Sequence, residues 1–274
     1  MSNPVRPPAI PGLHPSIQVQ YRMTKHPPSS DIITFGPPAE KDRRKAMVKL
    51  LRECPIPEHE LMLNIGLFLT PQTLSRVLFM DFLYQQIIDV QGVVMEFGCR
   101  WGQNMSLFSS LRGIYEPFNR LRKIIGFDTF QGFPSVTAQD GETVSQGGYA
   151  TTPKYDSYLN QVLHLQEQES PLEHIKKFDI IQGDATKTVP EYLSRQPETI
   201  VALGYFDFDL YSPTKTCLEA VRGHLTRGSV LGFDEVNDDA MPGETIALKE
   251  VLGLDKYSVR RYRYNSRTSY LVIE

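Results

Sequence analysis

The chain has 274 residues, of which 41% are hydrophobic and 22% charged, and its formal net charge is −3. That length suits one large domain, or one with an extension, and the balance is ordinary for a globular protein with a full core. The acidic excess argues against nucleic acid as a partner, and no apolar run approaches the ~20 residues that span a membrane. Three scattered cysteines, Cys54, Cys99 and Cys217, are too few for a disulfide framework or a zinc site. With no apolar signal-peptide core at the N-terminus, the expected compartment is a reducing cytoplasm.

Residues 1–40 hold many of the prolines, as in Pro7-Pro8, Pro27-Pro28 and Pro37-Pro38. Proline lacks an amide donor and restricts the residue before it, so this stretch reads as an arm, packed on the body or a partner, or disordered. Residues 40–52 turn helical, with Ala46, Met47, Leu50 and Leu51 on one face. The division expected is an arm and helix over residues 1–69 and a catalytic domain over 70–274. Thr70-Pro71 then reads as a cap and first helical position. The stripe that follows, Leu74, Val77, Leu78, Phe82, Leu83 and Ile87, should pack on a sheet or on a second copy, which makes a homodimer the expected assembly.

Next comes Val93-Val94-Met95-Glu96-Phe97-Gly98-Cys99-Arg100-Trp101-Gly102, a buried strand running into a glycine turn. A helical pattern through Met105, Leu107, Phe108 and Leu111 follows it. Further apolar runs end in or near acids at Asp128, Gly183-Asp184, Asp207 and Asp234-Glu235. After the third, Thr186 and Pro190 lead to a short helix over residues 191–193; after the fourth, Ser212-Pro213 opens a helix carrying Leu218, Val221 and Leu225. Residues 257–264 and 268–273 read as an antiparallel hairpin on a sheet edge. The sum is an α/β fold with a doubly wound parallel sheet. Residues 135–160, polar and broken by Gly141, Gly147 and Gly148, read as a lid over one edge, with Tyr149, Tyr155 and Tyr158 closing on a ligand, or as a plain surface loop.

Ligands of such sheets bind beyond the carboxyl ends of the strands, so Glu96, Asp128, Asp184, Asp207 and Asp234 should share one rim. Five like charges crowded together call for a cation or polar ligand. A dinucleotide site wants Gly-x-Gly-x-x-Gly, which the turn Gly98 to Gly102 lacks, and this weighs against an NAD-linked oxidoreductase. S-adenosylmethionine instead asks for a glycine turn, an acid after the second strand and a polar group after the third. Glu96, Gly98, Asp128, Gly183 and Asp184 stand in that order, with Trp101, Thr129, Phe130 and Ala185 beside them. Trp101 stacks on the cofactor or packs the turn, and Cys99 reads as a small packing residue. His164, His174 and His224 are poorly placed to act as bases.

Four segments then carry a family resemblance: Val94-Met95-Glu96-Phe97-Gly98, Phe127-Asp128-Thr129-Phe130-Gln131-Gly132-Phe133-Pro134, Phe206-Asp207-Phe208-Asp209-Leu210-Tyr211-Ser212-Pro213-Thr214 and Gly232-Phe233-Asp234-Glu235. Over residues 70–274 the chain resembles the macrocin O-methyltransferase family, which methylates sugar hydroxyls of natural products. The resemblance implies a class I methyltransferase Rossmann-like fold, an S-adenosylmethionine donor, a small hydroxylated acceptor and a magnesium ion that holds the acceptor hydroxyls. It assigns Asp207, Asp234 and Glu235 to the metal, with Glu235 where the family usually has aspartate. Without a metal, Asp207 or Asp209 is the base. A methyltransferase fold that only binds its ligands is the remaining alternative.

Overall fold

A computed structural model of the chain describes residues 36–37 and 39–274. The arm expected over residues 1–40 falls almost wholly outside the described residues. Helix α1 (Ala39–Arg52) has no buried residue. A single turn, α2 (Glu58–Leu61), runs into a 3-10 segment (Met62–Phe68), neither announced by sequence periodicity. Helix α3 (Pro71–Gln86) starts as expected: the Thr70 side chain accepts the Thr73 N–H at 3.2 Å and Pro71 takes the first position. Its stripe divides, for Leu83 and the following Ile87 are buried while Leu74 and Leu78 are exposed.

Strands and helices then alternate as β1 (Val93–Phe97), α4 (Gln103–Tyr115), β2 (Ile124–Asp128), α5 (Tyr155–Gln168), β3 (Phe178–Gln182), α6 (Ala185–Arg195), β4 (Val201–Phe206), α7 (Tyr211–Val221), β5 (Leu225–Phe233), α8 (Gly243–Val251), β6 (Arg260–Arg261) and β7 (Ser269–Val272). The strands form one sheet in the order β3-β2-β1-β4-β5-β7-β6. β1 to β5 run parallel, and β7 lies antiparallel to both β5 and β6. The doubly wound sheet and the terminal hairpin are therefore as expected. No helix among the described residues is long and apolar enough to cross a membrane.

Successive strand residues point to opposite faces, and this sorts the core into two layers. Val94, Ile124, Leu203 and Val230 pack with Phe79 and Leu83 of α3, Phe108 of α4 and Leu163 of α5. Met95, Ile125, Leu231 and Phe233 pack with Val189 of α6, Leu218 of α7 and Leu248 of α8. Burial of each such side chain is worth about 1.5–3 kcal/mol. Near the carboxyl ends of β2, β1, β4 and β5, the rings of Phe127, Phe97, Phe206 and Phe233 stack in succession, with centroids 5.7, 4.4 and 5.2 Å apart. This ladder fixes the floor on which the loops beyond the strands stand.

Besides α2, the helices α5 and α8 are not foreshadowed in the sequence, and α6 is longer than expected. α5 begins inside the expected lid, at Tyr155, and is tied to the body by buried ion pairs of Glu167 with Arg112 and Lys177. α8 closes the far layer. α6 spans Ala185–Arg195 instead of residues 191–193, because Asp184 caps it through the Thr186 N–H at 3.0 Å and Pro190 sits within it. A proline there forfeits one backbone bond, and the burial of Val189, Tyr192 and Leu193 holds the helix across that gap.

Candidate active site

The strand order reverses between β1 and β4, and the loops leaving these two strands diverge to open a crevice. Its volume is 770 Å³, and Glu96, Asp128, Asp184, Asp207 and Asp234 all line it. The expected common rim is thus formed. Gly98 takes φ 91° and lies against β4 so closely that an added Cβ would stand 2.1 Å from the Asp207 carbonyl oxygen. Gly102 takes φ 71°, and its N–H closes the turn onto the Cys99 carbonyl at 2.6 Å. Only glycine meets both demands of positive φ and close backbone approach. Cys99 is buried, and burial raises its thiol well above its usual range, so it is the inert packing group expected.

Glu96 is almost wholly buried beneath this turn. Its Oε1 accepts the Asn104 Nδ2–H at 2.9 Å, while its Oε2 and the Asn104 Oδ1 have no partner. Burial raises the carboxyl to about 8, against the lowering pull of Asn104 and Arg76. Asp128, at the end of β2, is held differently. Its Oδ2 accepts the Arg100 N–H at 2.7 Å and its Oδ1 the Phe130 N–H at 2.6 Å. Each carboxylate oxygen keeps accepting capacity toward the crevice, while burial raises this group too.

The remaining expected cofactor residues divide. Gly183, Asp184, Ala185, Thr129 and Trp101 line the crevice. The Phe130 side chain does not: it is buried in the core, and only its backbone serves the site. Tyr149 lines the crevice, with the Arg100 guanidinium 4.7 Å from its ring centroid. Tyr155 and Tyr158 stand on α5 outside the lining, where the Tyr155 hydroxyl donates to the Trp101 carbonyl at 3.0 Å. Of the histidines, His224 bonds the Thr199 carbonyl at 2.8 Å, and none of His164, His174 and His224 lines the crevice.

At the β4–β5 end the acids are held by arginines. Arg76 of α3 donates from Nη1 to Asp207 Oδ2 at 3.3 Å and from Nη2 to Asp234 Oδ1 at 2.9 Å. The same Asp234 oxygen accepts the Tyr205 hydroxyl at 2.8 Å. Arg267, in the turn before β7, pairs with Glu235 and, at 2.9 Å, with Asp238. Enclosure and the charge of Asp234 raise Asp207 well above the carboxylate range, with Arg76 opposing. Burial lifts Asp209 to about 7. Glu244 of α8, wholly buried and raised for the same reason, accepts the N–H groups of Phe208 at 3.0 Å and Glu235 at 3.3 Å. It thereby ties the two acid-bearing loops together.

Sequence reasoning missed Arg76, Arg267, Glu244 and Asn104. Arg76 carries one signal, as the only basic residue among residues 70–87. The other three carry none.

The two halves differ in what they can hold. Around Glu96 and Asp128, an orphaned buried carboxylate oxygen sits near an acid with spare acceptors, which fits a ligand bringing an ammonium group to one and hydroxyls to the other. A magnesium ion shared by Asp207, Asp234 and Glu235 does not fit this arrangement. Magnesium wants oxygens near ~2.1 Å in octahedral order. Here one guanidinium bridges Asp207 and Asp234 while Glu235 is drawn to another. No group of three or more potential ligand side chains is arranged for a metal among the described residues.

No family model matches the chain, and no curated protein matches it. Solved structures do. A crystal structure of CalS11, a calicheamicin methyltransferase, is 42% identical with a TM-score of 0.85, over 91% of this chain and 98% of its own. The apo structure of CalS11, described as a TDP-rhamnose 3'-O-methyltransferase in calicheamicin biosynthesis, is 41% identical with a TM-score of 0.78, over 88% and 96%. The O-methyltransferase NovP, 16% identical with a TM-score of 0.55 over 73% of this chain and 79% of its own, shares the fold. The motifs, the sheet and these likenesses agree: the chain belongs to the S-adenosylmethionine-dependent O-methyltransferases of the macrocin O-methyltransferase family.

Proposed function

We propose that the chain methylates a hydroxyl of a deoxysugar, carried on a nucleotide or on a natural product, and that Asp207 removes the hydroxyl proton. The observation that supports this is that Asp207, at the end of β4 with its N–H bonded to the Phe97 carbonyl at 2.8 Å, lines the same crevice as the glycine turn. The acceptor class rests on the relative that acts on TDP-rhamnose.

When bound, S-adenosylmethionine supplies a methyl group made electrophilic by its sulfonium. Glu96 Oε2 would take the donor's ammonium group, and Gly98 would leave room for its methionine portion. Asp128 would take the ribose hydroxyls, and Gly183, Asp184, Ala185, Thr129 and Trp101 would complete the donor site. At the other end Asp207 would orient the acceptor oxygen and accept the proton that it loses on methylation. Positioning and exclusion of water supply much of the acceleration. Because Asp207 sits raised, turnover rises with pH as it ionises, and Arg76 brings that rise to lower pH. No step is routed through magnesium, the ion that the resemblance implies, since the three acids are held by arginines.

Assembly and location follow the same reading. The exposed Leu74 and Leu78 of α3, and the exposed Met62, Leu63 and Leu67 before it, are apolar surface that a homodimer would cover, and light scattering on the purified chain reports the assembly directly. The three cysteines are free, in keeping with a reducing cytoplasm.

Calorimetric titration with S-adenosylhomocysteine tests the donor site, and an isotope-labelled methyl-transfer assay with TDP-rhamnose tests the acceptor class. Micromolar binding followed by transfer is the expected result. Absence of S-adenosylhomocysteine binding overturns the whole reading, whereas binding without transfer to any sugar nucleotide overturns the acceptor class alone.

A further inference from the structure

Arg76 has no part in the motifs, yet it reaches both acids on which the chemistry turns. The helix that carries it is fixed on three sides. Thr70 caps its start. The Ser75 hydroxyl donates to the Tyr264 carbonyl at 3.1 Å, and Phe79 and Leu83 are anchored in the core. The guanidinium is thus presented from a rigid support. Its two arms take one oxygen from each carboxylate, at 3.3 Å on Asp207 and 2.9 Å on Asp234.

We infer that Arg76 is the resident counter-cation of the Asp207–Asp234 pair, and that a divalent metal competes with it for these carboxylates instead of binding alongside it. Three observations carry this. One oxygen of each carboxylate is already joined to the other by a single guanidinium. An arginine side chain is not deprotonated in proteins, so its charge leaves the pair only by moving away. A second cation admitted between the same two oxygens would stand in contact range of the first, where like charges repel strongly in a partly enclosed site. Glu235, the third acid that the motif offers a metal, is itself paired with Arg267. Arg76 is accordingly a positioning residue: it holds the two acids at a fixed spacing and keeps Asp207 the better able to ionise.

The inference rests on the methyltransferase reading only in taking this pair as the acceptor end, and the two fail separately. The test titrates Mn²⁺ against the full chain, wild type and Arg76→Gln, following free Mn²⁺ by electron paramagnetic resonance. S-adenosylhomocysteine calorimetry on each protein reports fold and donor site independently. Arg76→Gln is expected to bind Mn²⁺ at least about tenfold more tightly than wild type, a modest share of one charge–charge repulsion. Adding Asp234→Asn to it should abolish the gain. Equal or weaker Mn²⁺ binding by Arg76→Gln, with S-adenosylhomocysteine binding intact, overturns the inference. Should Arg76→Gln fail to fold, Arg76→Met serves. It removes the charge on an unbranched side chain, and it is expected to bind Mn²⁺ more tightly than wild type; no tightening overturns the inference. Loss of S-adenosylhomocysteine binding in wild type would instead strike the methyltransferase reading and leave the metal comparison standing.

Discussion

At the β1–β2–β3 end of the crevice, acids are held by groups close by in the chain, mostly backbone N–H; at the β4–β5 end they are held by arginines that arrive from elsewhere. Asp128 is gripped from 2 and 28 residues away, and Glu96 from 8. Asp207 and Asp234 are gripped by Arg76 from 131 and 158 residues away. The first end leaves one carboxylate oxygen bare, ready for a ligand's charge. The second sets two guanidinium groups among its acids, and of Glu235 it leaves one oxygen without a partner. Donor binding and proton transfer should therefore respond to different substitutions.

Asp207→Asn should break the second end alone. Loss of a positioned base costs about 10²–10⁴-fold in kcat, and S-adenosylhomocysteine affinity should stay within a factor of two or so, because the donor contacts lie elsewhere. Steady-state kinetics beside calorimetry check this; a parallel loss of affinity would show the ends to be one unit.

Asp128→Ala should break the first end. It strands the buried N–H groups of Arg100 and Phe130, a cost of about 1–3 kcal/mol each at most, and it should weaken S-adenosylhomocysteine binding by about tenfold or more. Chemical denaturation and calorimetry read the two effects separately.

Glu96→Gln sharpens the comparison through pH. Burial lifts Glu96 from 4.5 to about 8, so the folded chain keeps a proton that the unfolded chain gives up. Its contribution to stability is full below about pH 4.5 and is lost as pH rises to about 8, at roughly 1.4 kcal/mol per pH unit. Glu96→Gln should flatten that slope and raise Tm at pH 8 by several degrees, at ~2–4 °C per kcal/mol, while weakening the donor analogue. Thermal melts across pH 5–8 test it, and an unchanged slope would place the titration elsewhere. In wild type, binding of the analogue at pH 7 should release a proton, seen as a dependence of the calorimetric heat on buffer ionisation enthalpy.

The smallest effect is expected from Glu235→Asp. The shorter side chain loosens the pairing with Arg267, and kcat should change by less than about tenfold, with no magnesium-dependent gain, since Arg267 keeps its second partner, Asp238. A large gain on adding magnesium would show that the third acid does belong to a metal site.

Where sequence and structure agree, the interactions are short in chain distance. The Thr70-Pro71 start, the glycine turn and the acid ending β2 each arise within one strand–turn–helix unit, where periodicity and turn chemistry act directly. The readings that failed share another cause. α6 was cut short because Pro190 reads as a boundary, and only burial of Val189, Tyr192 and Leu193 carries the helix through it. α5 was hidden in a polar stretch because its hold on the body is the buried group of Arg112, Glu167 and Lys177. Phe130, in a motif that suggests ligand contact, turns its ring into the core because its backbone, at φ 55°, is already engaged by Asp128.

The sequence by itself determined the order of the strands' chemistry: which apolar runs end in acids, where glycine lets the chain turn, and hence the fold, the donor and the rim. These follow from local backbone conformation and from side-chain alternation, which neighbouring residues dictate. The tertiary structure alone decided which cation meets which acid. Arg76 and Arg267 reach Asp207, Asp234 and Glu235 only because α3 and the β6–β7 turn pack beside the ends of β4 and β5. A charge pair across 131 residues leaves no trace in spacing, because its energy depends on distance through space and on burial, neither of which is written along the chain.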